Sequence, residues 1–568
     1  MIGVISAPHQ AREVEEFFEL FKTPWEFFRS GVRYDVIFTN GGNLDLDCRL
    51  MVQFGSDSKT SDRILGLETE DRTTNGELGT DGTFVPIYNE LLTFSCSDKG
   101  MPILHSRTGP VAIKYFQDER VVIRVGYDPF AELRFLLSVG QPTEKANVAT
   151  LDFHVEIIRK WMIEAGVPFL EILPTPAGFD FIACLTHDID FVGIRNHFFD
   201  HSMWGFLYRA TAGSLSKFLK GRVSFERLLA SWRAALSLPF VYLGLMKDFW
   251  EPFEWYLEAE KELPATYFLI PFKGHAGENV PGRHAEWRAS AYELGELSER
   301  LQRLREHKCE LGVHGIDSWH NPEKGNAELE KLFSVCPRPD RVGIRMHWLL
   351  QDSNTPAVLE SAGYFYDSSR GYNETVGYQC GTGQVFRPLQ TTTLLEIPLH
   401  IQDGALFYPQ RLNLSDSAAE DVCQTMIRTA KQFGGVLTIL WHDRSHGPER
   451  FWGDFYKKLI ATLRSSGAWF ASALQAVEWF KWRREVRFEC ITENGHSFYV
   501  PRSATRVAPA CRVRVFEEGV RKGGSETPRG TYREIVWDGS DCQELILALQ
   551  STELNAAARA SAIGNISA

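Results

Sequence analysis

No stretch of the 568-residue sequence is long and uncharged enough to span a bilayer, which excludes an apolar transmembrane helix. The opening residues, MIGVISAPHQAREVEEFFELF, lack the basic start, apolar run and small-residue cleavage site of a secretory signal, so a cytoplasmic protein is expected. No C-x-x-C pair occurs among the ten cysteines, which are scattered from Cys48 to Cys542. That spacing argues against a thiolate zinc site or a disulfide framework and for reduced thiols in a folded core. Positive charge is in deficit: 61 Lys and Arg stand against 73 Asp and Glu, a net charge of -12. A general nucleic-acid binder needs a basic face to neutralise phosphates, so that class is disfavoured and no nucleic-acid partner is expected.

The chain is too long for one compact core, and its pattern changes twice. Residues 1–150 mix short strands with polar turns, a separate α+β unit of unknown role. Within it YDVIFT (34–39) reads as a strand and VAIKYFQDERVVIRVG (111–126) as a hairpin. From 151 to 484 apolar runs alternate with amphipathic segments, the signature of βα units around a parallel sheet or barrel. LDFHVEIIRKWMIEAG (151–166) reads as a helix, with a second helical segment in NAELEKLFSV. After 485 come VRFECITENGHSFYVP, CRVRVFEEG and YREIVW, strands of a small β appendage ending at 568 in a tail expected to fray.

The polar residues at the ends of the middle unit's apolar runs carry the chemistry. FIACLT ends in His187, Asp188 and Asp190; CELGVH ends in His314; RVGIRM carries Arg345 and is followed by His347; GVLTILW is followed by His442 and Asp443. In barrels of parallel strands the carboxyl ends of the strands converge on one mouth. Any one of these residues alone is indistinguishable from a satisfied structural side chain; together they place titratable groups from four strands at one point. Aspartate and histidine on converging loops form the ligand set of a hydrolytic divalent site with an open position. A separate carboxylate and a separate histidine can then serve as base and acid.

At these residues the sequence resembles the polysaccharide deacetylases. THDID at 186–190 stands where that family has T-F-D-D-G, PATYFLI resembles its second strand, and LGVHGIDSWH its histidine motif. GIRMHW carries the arginine of the third motif and TILWHD resembles the last. The resemblance implies an α/β fold, a distorted (β/α) barrel over 151–484, and a metal-dependent deacetylase acting on an N-acetylated sugar or glycan precursor. It implies Asp188 as base, Arg345 as the arginine that orients it, His442 as general acid and His314 as a metal ligand, with zinc the expected ion.

Two motif positions differ. Ile189 stands where the family has its ligating aspartate, and Asp190, one residue on, is expected to take that role. Ser318 stands four residues after His314 where the family has a second histidine; Asp317 and His320 are the nearby candidates, and His320 is preferred as the better donor. Asp367, in the glycine- and tyrosine-rich stretch 362–388, is expected to orient the acid histidine. Substrate contacts are expected from Tyr372 in the same stretch, from Trp319 and His347, and from Arg444 beside His442, where an anionic substrate is one reading of the local charge.

A helical insertion is expected at 195–255. Between Met203 and Met246 six basic residues face one acid, Glu226, among many aromatic and aliphatic residues. A solvated helical face, a lid over the site, and contact with an anionic membrane surface all fit that pattern. Two other functions fit the sequence as well: a metal-free hydrolase of a non-sugar amide on the same fold, and an inactive glycan-binding protein. The oligomeric state is not legible.

Overall fold

A computed structural model describes residues 1–546 except 81, 97–98, 118–119, 279–284, 338, 494–495, 518–531 and 542. The tail at 556–568 lies outside the described residues. Among them, no helix is long and apolar enough to cross a membrane.

The N-terminal region builds one nine-stranded sheet. Trp25–Phe27, Ile2–Ile5, Val36–Thr39, Leu50–Gln53 and Arg120–Val125 lie side by side in that order and run parallel. The hairpin read at 111–126 is present, with Pro110–Gln117 antiparallel to Arg120–Val125 and Tyr115 opposite Val122. Three further antiparallel strands extend that edge. The helix read at 151–166 runs Thr150–Glu164 and turns Leu151, Val155, Ile158 and Met162 into the same core as Val36 and Ile123. Spacings of three and four residues put those four side chains on one face, so this helix packs with the first sheet.

The second sheet carries the candidate site. Its strands are Phe181–Ile189 (β1), Ala265–Leu269 (β2), Glu310–Gly315 (β3), Gly343–Met346 (β4), Tyr366–Asp367 (β5), Leu395–Glu396 (β6), Ile401–Gln402 (β7) and Val436–Leu440 (β8). They are parallel throughout, in the order β6-β5-β4-β3-β2-β1-β8-β7, with Ala468–Phe470 (β9) added beside the start of β1. Laid flat, eight strands would separate the edges β6 and β7 by about 34 Å. Those edges are joined by the chain from Glu396 to Ile401, which reaches about 18 Å at most. The sheet therefore curls, and its seam lies between β6 and β7. Every residue of β1 is buried, which is why it reads as a nearly unbroken apolar run.

The strands past 485 are built on a strand that precedes the barrel. Phe169–Pro176 pairs antiparallel with Cys511–Phe516, which pairs in turn with Tyr532–Trp537. Arg487–Glu493 and His496–Arg502 form a hairpin. On the helix Ala473–Glu485, Arg483 is fully buried and donates to the carbonyls of Glu19 (2.8 Å), Leu20 (3.1 Å) and Ile172 (2.7 Å). One guanidinium thus ties the N-terminal helix, the strand before the barrel and the helix Ala473–Glu485 together.

Candidate active site

The carboxyl ends of β1, β3, β4 and β8 open into a cleft of about 300 Å³ lined by Asp188, Asp190, His314, His347, His442 and Asp443. Strand alternation sends Asp188 into it and His187 to the opposite face, where His187 meets the Trp441 carbonyl (2.8 Å) and Glu260 (2.6 Å). Asp190 lies just past the end of β1 and also faces the cleft.

Three side chains converge as a possible metal site: Asp190, His314 and His347. Asp190 Oδ1 is buried without a hydrogen-bond partner among the described residues, 3.3 Å from His314 Nε2 and 3.4 Å from His347 Nε2. Donors at about 2.0–2.1 Å from a tetrahedral ion sit about 3.4 Å apart, so one carboxylate and two imidazoles at this spacing fit a divalent cation. His314 Nδ1 lies 2.9 Å from the Arg345 carbonyl, which only accepts, so that nitrogen carries the proton and Nε2 is left for ligation. Burial pushes His347 down to about 3, so its ring is neutral, the form that ligates. Burial also opposes charging of His314, yet Asp188 and Asp190 beside it raise its pKa above the ordinary value. Asp190 is held below the carboxylate range, because His347, His314 and His442 outweigh the burial that would raise it.

An acid and a base candidate flank the triad. The fully buried Arg345 donates to Asp188 Oδ1 (3.0 Å) and Thr186 Oγ1 (2.8 Å), and is held in turn by the Ser368 carbonyl (3.0 Å) and hydroxyl (2.8 Å). Asp188 Oδ2 stands 3.7 Å from His314 Nε2. Across the cleft, His442 Nδ1 lies 2.6 Å from Asp403 Oδ1, while Asp403 Oδ2 accepts from the His442 backbone N–H (2.8 Å) and from the Ser445 hydroxyl. Burial would lower the His442 pKa, but the Asp403 carboxylate, with Asp190 and Asp188 beyond it, raises it to about 10. Positive charge added at the triad draws that value back toward neutrality. Asp443 is pushed up to about 7 by burial and by the charge of Asp190.

The remaining wall is basic. Arg444 lies 3.5 Å above the Phe191 ring, Arg450 donates to the Tyr408 hydroxyl (2.7 Å), and Arg209 reaches in from the helical insertion. Arg450 is buried, its Nε 3.9 Å from Glu449 Oε1 and without a hydrogen-bond partner among the described residues.

No protein-family model and no curated protein matches the sequence. Among solved structures, one assigned as a polysaccharide deacetylase from Mycobacterium smegmatis is 16% identical, covering 55% of this chain and 95% of its own, at a TM-score of 0.34. Agd3, a novel carbohydrate deacetylase, is 9% identical over 95% of this chain and 97% of its own, at 0.38. A polysaccharide deacetylase from Bacillus cereus is 13% identical over 51% of this chain and 91% of its own, at 0.23. These three similar structures are described as polysaccharide or carbohydrate deacetylases. At these identities and TM-scores the likeness carries no argument about chemistry, which rests on the residues above.

Five side chains expected at the site stand outside the cleft. His320 is not with Asp190 and His314: β3 ends at Gly315, the following turn is held by Glu328, and His320 Nε2 is left 3.3 Å from Asp317. His347, expected at the substrate, stands with the triad instead. Asp317 is engaged by His275 (2.8 Å) and by the Glu278 backbone N–H (2.8 Å). Asp367 does not reach His442, because it belongs to β5 and accepts from Ser369 (2.5 Å); the carboxylate beside His442 Nδ1 is Asp403. Tyr372 is buried and donates to the Gln141 carbonyl (2.8 Å), while its neighbour Asn373 lines the cleft. Trp319 packs against the barrel core and His320, and the indoles of Trp287 and Trp348 line the cleft in its place. Sequence reasoning passed over Asp403, Tyr408, Arg450 and Arg288. The last donates to the Ile316 (3.0 Å) and His347 (3.3 Å) carbonyls and so joins the turns after β3 and β4.

Proposed function

We propose that the protein is a metal-dependent deacetylase that hydrolyses the N-acetyl group of a sugar or glycan precursor. The observation that carries the reading is the grouping of Asp190, His314 and His347 between two prepared proton carriers, Asp188 held by Arg345 and His442 held by Asp403. The choice of an acetylated sugar rests on the motif resemblance at THDID, LGVHGIDSWH, GIRMHW and TILWHD.

Asp190, His314 and His347 would hold the ion, zinc by donor type, which when bound polarises the acyl carbonyl and favours ionisation of water. Asp188 accepts the proton of the attacking water, and Arg345, donating to its Oδ1, aims that carboxylate. His442, protonated through its pairing with Asp403, delivers a proton to the leaving amine nitrogen. Arg209, Arg444 and Arg450 favour a substrate carrying negative charge near the acetylated sugar. The test is acetate release from N-acetylated oligosaccharides by metal-loaded protein. Asp188→Asn is expected to lower kcat by about 10²–10⁴-fold with metal content unchanged; an equal rate in that variant contradicts the reading.

A further inference from the structure

We propose that the helical insertion between β1 and β2 docks the protein on an anionic lipid bilayer, its outward apolar side chains entering the headgroup region. This goes beyond the hydrolytic reading and does not depend on it.

Among the described residues, 24 large apolar side chains are exposed, and 13 of them lie between Phe198 and Met246. Their spacing is regular. The helix Phe225–Tyr242 buries Ala234, Leu238 and Val241 in a small core with Met203, Phe206 and Trp250. On its other side Phe225, Trp232, Leu236 and Phe240, at intervals of seven, four and four, form a second apolar stripe facing solvent, with Leu236 76% exposed. The helical run 201–219 repeats the arrangement: Met203, Phe206 and Ala210 point into the small core, and Trp204, Tyr208, Leu215 and Leu219 point out. Aromatic contacts join the two helical segments at both ends, Phe198 with Tyr242 (5.1 Å) at one and Phe218 with Phe225 (5.9 Å) at the other. A helix in water needs one apolar face; these have two, and the second faces solvent on both.

Charge decides what covers it. Lys220, Arg233 and Lys247 are exposed around the patch and make no ion pair among the described residues. A second copy would bring two positive faces together, whereas an anionic bilayer satisfies both the apolar stripe and the basic rim. The same first helix that turns Trp204 and Tyr208 outward sends Ser202 and Arg209 into the cleft, so docking sets one wall of the active site at the lipid surface.

The test is flotation of the full chain with phosphatidylcholine vesicles, with and without phosphatidylglycerol, beside light scattering of the protein alone. The wild type is expected to float with the anionic vesicles and to be released by salt. Leu236→Glu combined with Phe240→Glu is expected to cut the bound fraction about tenfold, and Lys220→Glu combined with Arg233→Glu to remove the preference for phosphatidylglycerol. These side chains are exposed, so an unchanged melting temperature and unchanged acetate release from a soluble substrate show that the variants are folded. A wild type that stays unbound, or a wild-type dimer that the Leu236 and Phe240 pair converts to monomer without any vesicle binding, overturns the proposal. Flotation without hydrolysis in every protein would sink the catalytic reading and leave this one standing.

Discussion

The carboxylate of Asp403 takes hydrogen bonds from His442 Nδ1, the His442 backbone and Ser445, and its charge is what lifts His442 to about 10. A proton donor with a raised pKa works below that value and stops as pH rises through it. Asp403→Asn removes the charge, so the alkaline limb of kcat/KM is expected to move to lower pH by about one unit or more, and kcat to fall about 10²–10⁴-fold. A pH–rate profile checks both; an unmoved limb would assign it to another group. The linked stability has the same sign: the His442–Asp403 pair contributes fully below the ordinary imidazole pKa and is lost as pH climbs toward 10. At this scale the sequence was legible where a polar residue ends a short apolar run, as for Asp188, His314 and His442. Asp403 comes directly after the two-residue strand Ile401–Gln402, too short for any periodicity to show. His347 was legible as a cleft residue but not as a member of the triad. Trp348 and Leu349 after it take φ of 63° and 55°, a left-handed turn that no glycine or asparagine announces.

The turn after β3 is held by the helix Pro322–Phe333 through one side chain. Glu328 accepts from the backbone N–H of Ile316 (3.1 Å) and Asp317 (2.7 Å) and from the Ser318 hydroxyl (2.6 Å), all buried. Glu328→Ala leaves these donors without an acceptor and is expected to cost about 2–4 kcal/mol in denaturant unfolding, with weaker metal binding because His314 sits directly before the turn. Glu328→Gln keeps an acceptor and is expected to lose less. If the two variants unfold alike, the turn is held by something else. The elements themselves were largely readable: β1, β2, β3 and β8 appear as short apolar runs with polar ends, and the helix over 151–166 by its spacing. β5, β6 and β7 were not, since two residues apiece inside 362–402 carry no pattern that separates strand from loop.

Across the whole molecule, the regions read as separate units share side chains. Arg483 joins the first and second of them through buried hydrogen bonds, and Arg484 beside it forms a two-pronged pair with Glu16 (2.7 Å each). Arg483→Ala is expected to lower stability by about 3 kcal/mol or more, because several buried carbonyls lose a charged donor, and to split one unfolding transition into two. Calorimetry reads both; a single unshifted transition would show that the units are held elsewhere. Composition shifts marked where the pattern changes, but long-range contacts such as Arg483 to Leu20 leave no trace in local sequence. The most direct test of the metal centre, on which the proposed chemistry turns, is metal content of the purified protein, wild type beside His347→Ala and His320→Ala. About one divalent ion per chain is expected in the wild type and in His320→Ala, and none in His347→Ala. Loss of the ion in His320→Ala with retention in His347→Ala, or a wild type that takes up no zinc, cobalt or nickel, would contradict the triad of Asp190, His314 and His347.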